Sequence, residues 1–275
     1  MESAKTFKTL NVVNRIYIFS LLLLFQFSIQ ESFGQKTRMY AYKLGEVLEY
    51  KASYGIIDAA RAKLIIEKDF KKVGNRMTYH MVATAVTLGA YNWFFKVNDN
   101  YQTYIDNKVF LPLVFFRRMD EGGFVLARDK YFNQTKNTVK VVNVKKKTES
   151  THKTEKNTQD LLSCFYHART LDLQHAKPGD VFTIPVYFDY ENYPMRIKFI
   201  GKETIKTDLG TFRCLKYSPQ LQEGRVFKDQ EDMTIWLTDD QNKVPIRLKA
   251  NLLIGSIKLD LTSYSGLVAP ISRVK

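Results

Sequence analysis

The chain has 275 residues, a formal net charge of +14 and only 2 cysteines and 4 histidines. Its length suffices for one all-β domain that buries about 70% of the surface its unfolded chain exposes. No cysteine or histidine has a partner at metal-ligand spacing, so we predict neither a metal site nor another cofactor. The positive charge favours an anionic envelope surface or glycan over nucleic acid as a partner, and a basic, soluble surface without such a partner is the alternative.

The first residues, 1–34, read as a cleaved signal peptide. Basic residues precede an almost wholly apolar stretch at 16–29, which is too short to span a membrane comfortably. Small residues follow this stretch, so we expect cleavage between Gly34 and Gln35, and an uncleaved anchor is the alternative. The mature chain is then a single β-rich domain, residues 35–275, that is periplasmic or secreted and not integral to the membrane.

Beyond the signal peptide, alternating apolar and polar residues predict one strand after another at short spacing. The segment that begins at Gly45 gives a strand, a kink at Gly55 and a longer strand on which Ala62 and Leu64 share one face. Many short strands in succession are typical of a barrel or a sandwich. More strands are predicted at 76–87, 98–106, 109–119, 124–132 and 139–144.

Three adjacent aromatic residues, Trp93, Phe94 and Phe95, interrupt this alternation. Such a cluster either lines an apolar ligand site or closes one end of a barrel, and the sequence leaves both interpretations open. In the first interpretation, residues of nearby strands and of a helix complete the site. The candidate ligand-binding residues are then Trp93, Phe94, Phe95, Tyr101, Arg117, Arg128, Leu161 and Phe165.

One convincing helix is predicted in the mature chain. Asn157 fits a helix cap, and Asp160 falls in the first turn, where a carboxylate favours the helix N-terminus. Since a single amphipathic helix needs an apolar surface to cover, we expect this helix against an open side of the sheet or across a barrel mouth. Its predicted apolar face, which extends over about three turns, consists of Leu161, Cys164, Phe165, Ala168 and Leu171.

The two cysteines, Cys164 and Cys214, allow two interpretations. An oxidising compartment permits a disulfide between them. Cys164 also lies on the apolar face of the predicted helix, where a buried free thiol is the alternative. The sequence alone does not show whether the two side chains meet.

The C-terminal stretch from Met233 to Tyr264 predicts three strands joined by turns. Asp239 and Asp240 fall in a polar turn, and Pro245 marks the start of the next strand, where a missing N–H does least harm. Two adjacent acids are compatible with a calcium site, but the following residues lack the alternating oxygen ligands of a calcium loop. We therefore assign Asp239, Asp240 and Pro245 to a structural turn.

Catalytic patterns are weak in this sequence. Ser163 and His167 lie close together on the predicted helix, yet no nucleophile elbow surrounds Ser163. A phosphate-binding glycine loop is also missing from the sequence. A hydrolase is therefore the least supported function, and we predict that the protein is not an enzyme.

The order and spacing of four segments resemble the bacterial family known as domain of unknown function 3108. The segments are GEVLEYKASYG, DNYQTYIDNKVFLPLVFFRR, DLGTFRCLKYSP and IWLTDDQNKVPIRLKANLLIGSIKLDL. The resemblance covers nearly the whole mature chain and implies a secreted, β-rich envelope protein. It brings no established catalytic residues with it.

Taken together, these patterns predict an all-β, mostly antiparallel fold, either a curved sheet or a β-barrel-like meander with one packed α-helix. The leading functional hypothesis is a non-enzymatic periplasmic protein that binds an apolar or amphiphilic envelope molecule. The alternative is a basic interaction module that docks on an anionic glycan or an outer-membrane partner.

Overall fold

The computed structural model describes residues 40–89, 96–173, 175–220, 233–251 and 255–274. None of the helical segments in these ranges combines the length and the apolar character that crossing a bilayer requires. The described ranges contain one α-helix, α1 at Leu161–Arg169. In chain order the strands are β1 (Val47–Tyr54), β2 (Ile57–Ile66), β3 (Lys71–Val73), β4 (Arg76–Thr87), β5 (Asn98–Asp106), β6 (Pro112–Glu121), β7 (Phe124–Asn133), β8 (Thr138–Asn143), β9 (Thr148–Lys153), β10 (Val181–Phe188), β11 (Glu191–Thr207), β12 (Gly210–Gln220), β13 (Met233–Thr238), β14 (Pro245–Asn251), β15 (Ser256–Ser265) and β16 (Arg273–Val274).

All 16 strands belong to one sheet, ordered β10-β11-β12-β13-β14-β15-β1-β2-β4-β5-β6-β7-β8-β9, with β3 beside β4 and β16 beside β12. Neighbours in this order are antiparallel, and all follow each other in the chain apart from two pairs. The short β3 lies between β2 and β4 in the chain, and β15 pairs with β1, where Leu48 lies opposite Tyr264. The outermost strands, β9 and β10, are not paired with each other. The predicted fold class is confirmed: the protein is a mostly antiparallel sheet with one packed helix, and the sheet is not a closed barrel.

The sheet curls until its two outer edges come within side-chain reach. Lys130 Nζ on β7 donates a hydrogen bond to the backbone oxygen of Tyr187 on β10, at 3.0 Å. Asn192 Nδ2 on β11 donates to the backbone oxygen of Lys153 on β9, at 3.1 Å. The segment before the helix also reaches β10, because the N–H of Tyr187 donates to the carbonyl of Gln159 at 2.9 Å.

Alternation along each strand separates an inner face of the curled sheet from an outer one. On β8, Val139 and Val141 are buried, whereas Lys140 between them is exposed. Successive side chains of a strand point to opposite faces, so the apolar members of many strands meet on one side. Part of this inner face packs with the helix in one of several core clusters, which includes Ile66, Tyr79, Met81, Ile105, Phe115, Val139, Val141, Leu162 and Tyr166.

The N-cap of the helix lies three residues after the predicted cap. Asp160 is the N-cap: its Oδ1 accepts from the backbone N–H groups of Leu162 and Ser163, each at 2.8 Å. The other carboxylate oxygen accepts from Thr103 Oγ1 on β5 at 2.6 Å, which fixes the helix start to the sheet. The prediction of Asn157 was wrong because Asn157 takes a left-handed turn conformation, with φ at 59°, which asparagine tolerates.

The buried face of the helix also differs from the predicted one. Leu162, Tyr166 and Arg169 are buried, whereas Leu161 and Phe165 of the predicted apolar face are only half-buried. The physical reason is that the helix lies inside the curled sheet rather than on its surface. Both of its faces are therefore covered: Cys164 of the predicted face is buried as well, whereas Leu161 and Phe165 face a cavity.

An ion pair at one end of the sheet joins three parts of the chain. Arg169 Nη1 and Nη2 donate to the two carboxylate oxygens of Glu46 at 2.6 and 2.8 Å, and both side chains are 1% exposed. The same guanidinium donates to the carbonyls of Ala41 and Asn242, at 3.0 and 3.1 Å. We call this end of the sheet the Arg169 end.

The predicted turn residues lie in the β13–β14 connection at the Arg169 end. Asp240 Oδ1 accepts from Thr238 Oγ1 at 2.8 Å, and its Oδ2 accepts from the backbone N–H of Ser272 at 2.7 Å. Asp239 forms an ion pair with Lys202 at 2.9 Å. Pro245 is the first residue of β14. Within the described ranges, no group of acidic, histidine or cysteine side chains is arranged to hold a metal ion.

Candidate functional site

Three of the candidate ligand-binding residues line an apolar cavity of about 210 Å³ between the helix and the sheet, which we call the interior cavity. Tyr101 comes from β5, and Leu161 and Phe165 come from α1. The two helix residues are four positions apart and therefore share one face. The rest of the wall includes Tyr50, Ala62, Leu64, Pro245, Leu248 and Leu259.

Small side chains on two neighbouring strands explain why the sheet leaves room here. Ala62 on β2 lies opposite Ala85 on β4, and Leu64 lies opposite Ala83. An alanine fills much less of the space between sheet and helix than the leucines and aromatic residues elsewhere on the inner face. The cavity is thus a consequence of the sequence pattern on β2 and β4.

A group of basic side chains lies beside this cavity on the inner face of β6 and β7, and we call it the basic cluster: Arg117, Arg128 and Lys130. In the strand register Arg117 lies opposite Tyr101 on one side and opposite Arg128 on the other. Arg128 Nη1 donates to Asp189 Oδ1 at 2.7 Å, and Arg117 Nη1 donates to the same oxygen at 3.1 Å. The structure thus brings the two predicted arginines together.

Lys130 was not among the predicted site residues. It is 3% exposed, and its ammonium nitrogen lies 4.9 Å from the centre of the Tyr187 ring. Burial lowers the pKa of Lys130 to about 8. The signal that identifies it is its spacing: two residues after Arg128 on the same strand, it shares the inner face.

The turn between β10 and β11 is strained where it meets the basic cluster. Asp189 and Tyr190 both take left-handed backbone conformations, with φ at 41° and 72°. A hairpin turn of this kind normally uses asparagine or aspartate followed by glycine, so Asp189 suits its position, whereas Tyr190 costs about 1–2 kcal/mol there. Arg128 contacts both residues, since its guanidinium lies 4.4 Å from the centre of the Tyr190 ring.

Tyr101 connects the basic cluster to the interior cavity. The Arg117 guanidinium lies 5.7 Å from the centre of the Tyr101 ring and 5.2 Å from that of Phe188. The Tyr101 hydroxyl donates to Asp99 Oδ2 at 3.1 Å, and burial raises the pKa of Tyr101 to about 12. One aromatic ring therefore separates an apolar space from a group of cations.

Two acids complete the surroundings of Arg117. Burial, together with a hydrogen bond to Asp99, raises the pKa of Glu121 above its ordinary value. Asp99 accepts from the backbone N–H of Asp120 at 3.3 Å in addition to the Tyr101 hydroxyl. Asp99 therefore already has hydrogen-bond donors of its own.

With this geometry established, the sequence can be compared with known families. Residues 49–262 match the family described as a protein of unknown function, DUF3108. The chain belongs to this family. A search of curated proteins found no match.

Solved structures similar to this DUF3108 protein have low sequence identity to it. A beta-barrel-like protein of domain of unknown function DUF1849 from Brucella abortus is 9% identical, with a TM-score of 0.51 over 83% of this chain and 100% of that one. The hypothetical protein CT021 from Chlamydia trachomatis is 8% identical, with a TM-score of 0.36 over 86% of this chain and 95% of that one. At such identities only the fold of the Brucella protein is informative.

Of the other residues singled out in the sequence of the DUF3108 protein, Ser163 does not line the interior cavity. Trp93, Phe94 and Phe95 lie outside the described residues. Ser163 is fully buried, and its Oγ accepts from the backbone N–H of Asp160 at 2.8 Å as part of the helix cap. A serine held in this way is a capping residue and not a nucleophile with an adjacent base.

The cysteines are free thiols rather than a disulfide. Both are buried, Cys164 beside Ile184 and Val186, and Cys214 in a separate core cluster with Phe212. Burial raises the pKa of each thiol to about 12. The suggested bridge is not formed, because the two side chains belong to different parts of the core.

A larger cavity, of about 360 Å³, lies along β1, β2 and β4. Lys51 and Lys63 line it from the outer face, since they alternate with residues of the inner face. Their charges are paired, Lys63 with Glu49 at 2.9 Å and Lys51 with Asp58 at 3.3 Å. We place the candidate site in the interior cavity because ligand sites are mostly apolar with a few convergent polar groups.

The turns at the end of the sheet opposite Arg169 carry exposed apolar side chains, and we call it the Ile56 end. Ile56 is 101% exposed in the β1–β2 turn, and Phe124 is 62% exposed after the β6–β7 turn. The β8–β9 turn at this end holds three consecutive exposed lysines, residues 145–147. Alternate turns of an antiparallel meander lie at the same end, so these features form one rim.

Proposed function

We propose that the protein is a non-enzymatic binding protein that holds the apolar part of an amphiphilic envelope molecule in the interior cavity. The observation that carries this proposal is the apolar space of about 210 Å³ between Tyr101, Leu161 and Phe165 on one side and Ala62 on the other. Pockets for whole drug-sized ligands have volumes of about 300–1,000 Å³, so this cavity fits a segment of a molecule.

A hydrocarbon segment suits such a wall energetically. Each methylene that leaves water for an apolar environment contributes about 0.8 kcal/mol, so five or six methylenes contribute about 4–5 kcal/mol, which corresponds to roughly millimolar binding before other contacts are counted. The location is part of the same proposal. Residues 1–34 have the pattern of a signal peptide, and a periplasmic or secreted protein meets lipids and other amphiphiles of the envelope.

The cavity can be filled by mutation to test this function. Ala62→Phe places a ring in the interior cavity, and we expect it to weaken binding of a fluorescent fatty-acid probe at least tenfold. Thr84→Phe is the matched control, because Thr84 lies on the outer face of β4 and does not line the interior cavity. Equal binding by wild type and Ala62→Phe, or no binding by wild type, would overturn the proposal. Circular dichroism verifies that both variants fold.

A second function is favoured by the rim at the Ile56 end. We propose that this rim docks on a bilayer rich in anionic lipids, with the exposed apolar side chains in the interface and residues 145–147 near the headgroups. Cosedimentation with phosphatidylglycerol vesicles should exceed that with phosphatidylcholine vesicles and should fall as salt increases. Replacement of Ile56 by serine should also reduce cosedimentation with phosphatidylglycerol vesicles. Sedimentation that depends on neither lipid charge nor Ile56 would contradict this function.

A further inference from the structure

We propose that the basic cluster of Arg117, Arg128 and Lys130 binds an anionic headgroup, a phosphate or a carboxylate, of the molecule whose apolar part occupies the interior cavity. This inference rests on the proposed function of the cavity. It adds the chemical class of the ligand and the residues that recognise it.

The first argument concerns the hydrogen-bond donors of the two arginines. Arg117 and Arg128 share one acceptor, the Oδ1 atom of Asp189, and the Asp189 side chain is 51% exposed. The Nε atoms of both arginines are buried and have no hydrogen-bond partner among the described residues. The Arg128 residue is only 8% exposed. A buried donor without an acceptor is unfavourable, and an oxyanion supplies several acceptors at once.

The second argument concerns the neighbouring acids, which are engaged elsewhere. Asp160 accepts from Thr103 at 2.6 Å and from two backbone N–H groups of the helix. Asp99 accepts from the Tyr101 hydroxyl at 3.1 Å, and Glu121 shares a hydrogen bond with Asp99. Asp189 is therefore the carboxylate that the basic cluster contacts directly, within the part of the chain that the structure describes.

The third argument is position. Tyr101 lines the interior cavity, and the Arg117 guanidinium lies 5.7 Å from the centre of its ring. Tyr101 therefore borders both the cavity and the basic cluster. The basic cluster and the apolar cavity are thus neighbours, as the charged headgroup and the hydrocarbon chain are in an amphiphile.

The chemistry of the side chains defines the headgroup. A guanidinium presents a planar fork of donors that matches the oxygens of phosphate and carboxylate, and a lysine adds a point charge. Both headgroups share this recognition, whether they belong to a phospholipid or to a fatty acid. The ratio of the affinities of the protein for a phosphate and for a carboxylate headgroup shows whether a phospholipid or a fatty acid fits better.

Calorimetric titration with dodecyl phosphate, dodecanoate and dodecanol tests the inference, because the three probes share one chain and differ in headgroup. We expect both anions to bind at least tenfold more tightly than dodecanol, and Arg128→Gln to remove this difference. Arg118→Gln is the matched control: it makes the same substitution on the outer face, where Arg118 pairs with Asp129 at 2.6 Å. It should leave all three affinities unchanged.

A second variant keeps the inference testable if Arg128→Gln does not fold. Asp189→Asn removes the carboxylate that competes with the ligand for Arg117 and Arg128, so binding of dodecyl phosphate should tighten at least threefold while that of dodecanol stays the same. Equal affinity of wild type for dodecanol and for the anions would overturn the headgroup site and leave the cavity function standing. If none of the three probes binds, the proposed function itself fails.

Discussion

Arg169 and Glu46 form a bidentate ion pair that is buried on all sides. Desolvation alone would lower the pKa of Arg169, but the charge of Glu46 raises it above its ordinary value. Arg169 therefore remains charged although its side chain is removed from water. The geometry of the pair links the helix end to the segment before β1.

Removing one partner of this pair should destabilise the fold strongly. We expect Glu46→Leu and Arg169→Met each to lower the free energy of unfolding by about 3–5 kcal/mol, because each leaves an uncompensated buried charge. The double variant Glu46→Leu with Arg169→Met should cost clearly less than the sum of the two single changes. Urea unfolding of all variants measures these differences.

An exposed ion pair provides the control for this cycle. Lys140 and Glu149 lie 2.7 Å apart with side chains 46% and 65% exposed. Water and salt screen such a pair, so Glu149→Gln should change stability by less than about 1 kcal/mol. Additive losses in the Glu46 and Arg169 variants would show that the two residues do not act as a pair.

The buried Lys130 should make stability depend on pH. Its pKa in the folded chain is about 8 against an ordinary value of 10.5. Below pH 8 both folded and unfolded chains hold the proton, so the burial penalty is complete there. As pH rises toward 10.5 the folded chain releases its proton first, and stability rises relative to a chain without Lys130.

Urea unfolding of Lys130→Met at pH 7 and at pH 10 measures this penalty. The stability advantage of the variant over wild type should shrink by about 2–3 kcal/mol between these two pH values. Lys140→Met, which replaces an exposed lysine on the neighbouring strand β8, should show no such change. A constant difference between wild type and Lys130→Met would mean that Lys130 titrates normally.

Gly266 should tolerate no side chain. A Cβ atom at this position would lie 2.2 Å from the backbone oxygen of Gly45, and its φ is 69°. Gly266→Ala should therefore destabilise the fold by about 3 kcal/mol or more, through a steric clash added to left-handed strain.

A substitution at Gly74 separates the cost of the steric clash from that of the left-handed backbone strain. Its φ is 57°, and a Cβ there would meet nothing within 4 Å. Gly74→Ala should then cost only the strain of the left-handed backbone, about 1 kcal/mol. Thermal unfolding of both variants compares the costs, and similar values would contradict the close approach at Gly266.

The cysteines should be unreactive in the folded protein. With both thiols buried and their pKa values raised to about 12, the thiolate form is scarce at pH 8. Labelling with a disulfide reagent should be slow under native conditions and rapid for both cysteines in denaturant. An intact mass two hydrogens lower, with no labelling in denaturant, would instead demonstrate a disulfide.

Local patterns predicted most of the long strands and the helix, because strand and helix periodicity are properties of adjacent residues. They missed β9, whose residues Thr148–Lys153 are all polar. The alternation on β8 and the turn at Asp239 and Asp240 depend only on neighbours in the chain. The cap was placed wrongly at Asn157 because Asn157 and Asp160 are both residue types that cap helices, and their backbone angles decide between them.

Local sequence patterns did not predict the contacts between segments that are distant in the chain. Nothing near Glu46 in the sequence indicates that it pairs with Arg169, since the contact depends on how the helix enters the sheet. Arg117 and Arg128 were candidates from sequence, but only the strand register places them opposite each other. The same register adds Lys130, whose burial no local pattern reveals.

The pairing of β15 with β1 determines how the sheet can assemble. Every other neighbouring pair along the main order of the sheet joins strands that are close in the chain, so it can form hairpin by hairpin. The contact between Leu48 and Tyr264 closes a loop of nearly the whole described chain and must wait until the last long strand has been made. Loss of β15 would therefore leave unpaired backbone in the middle of the sheet, where β1 and β14 would each become an open edge prone to pairing with other chains.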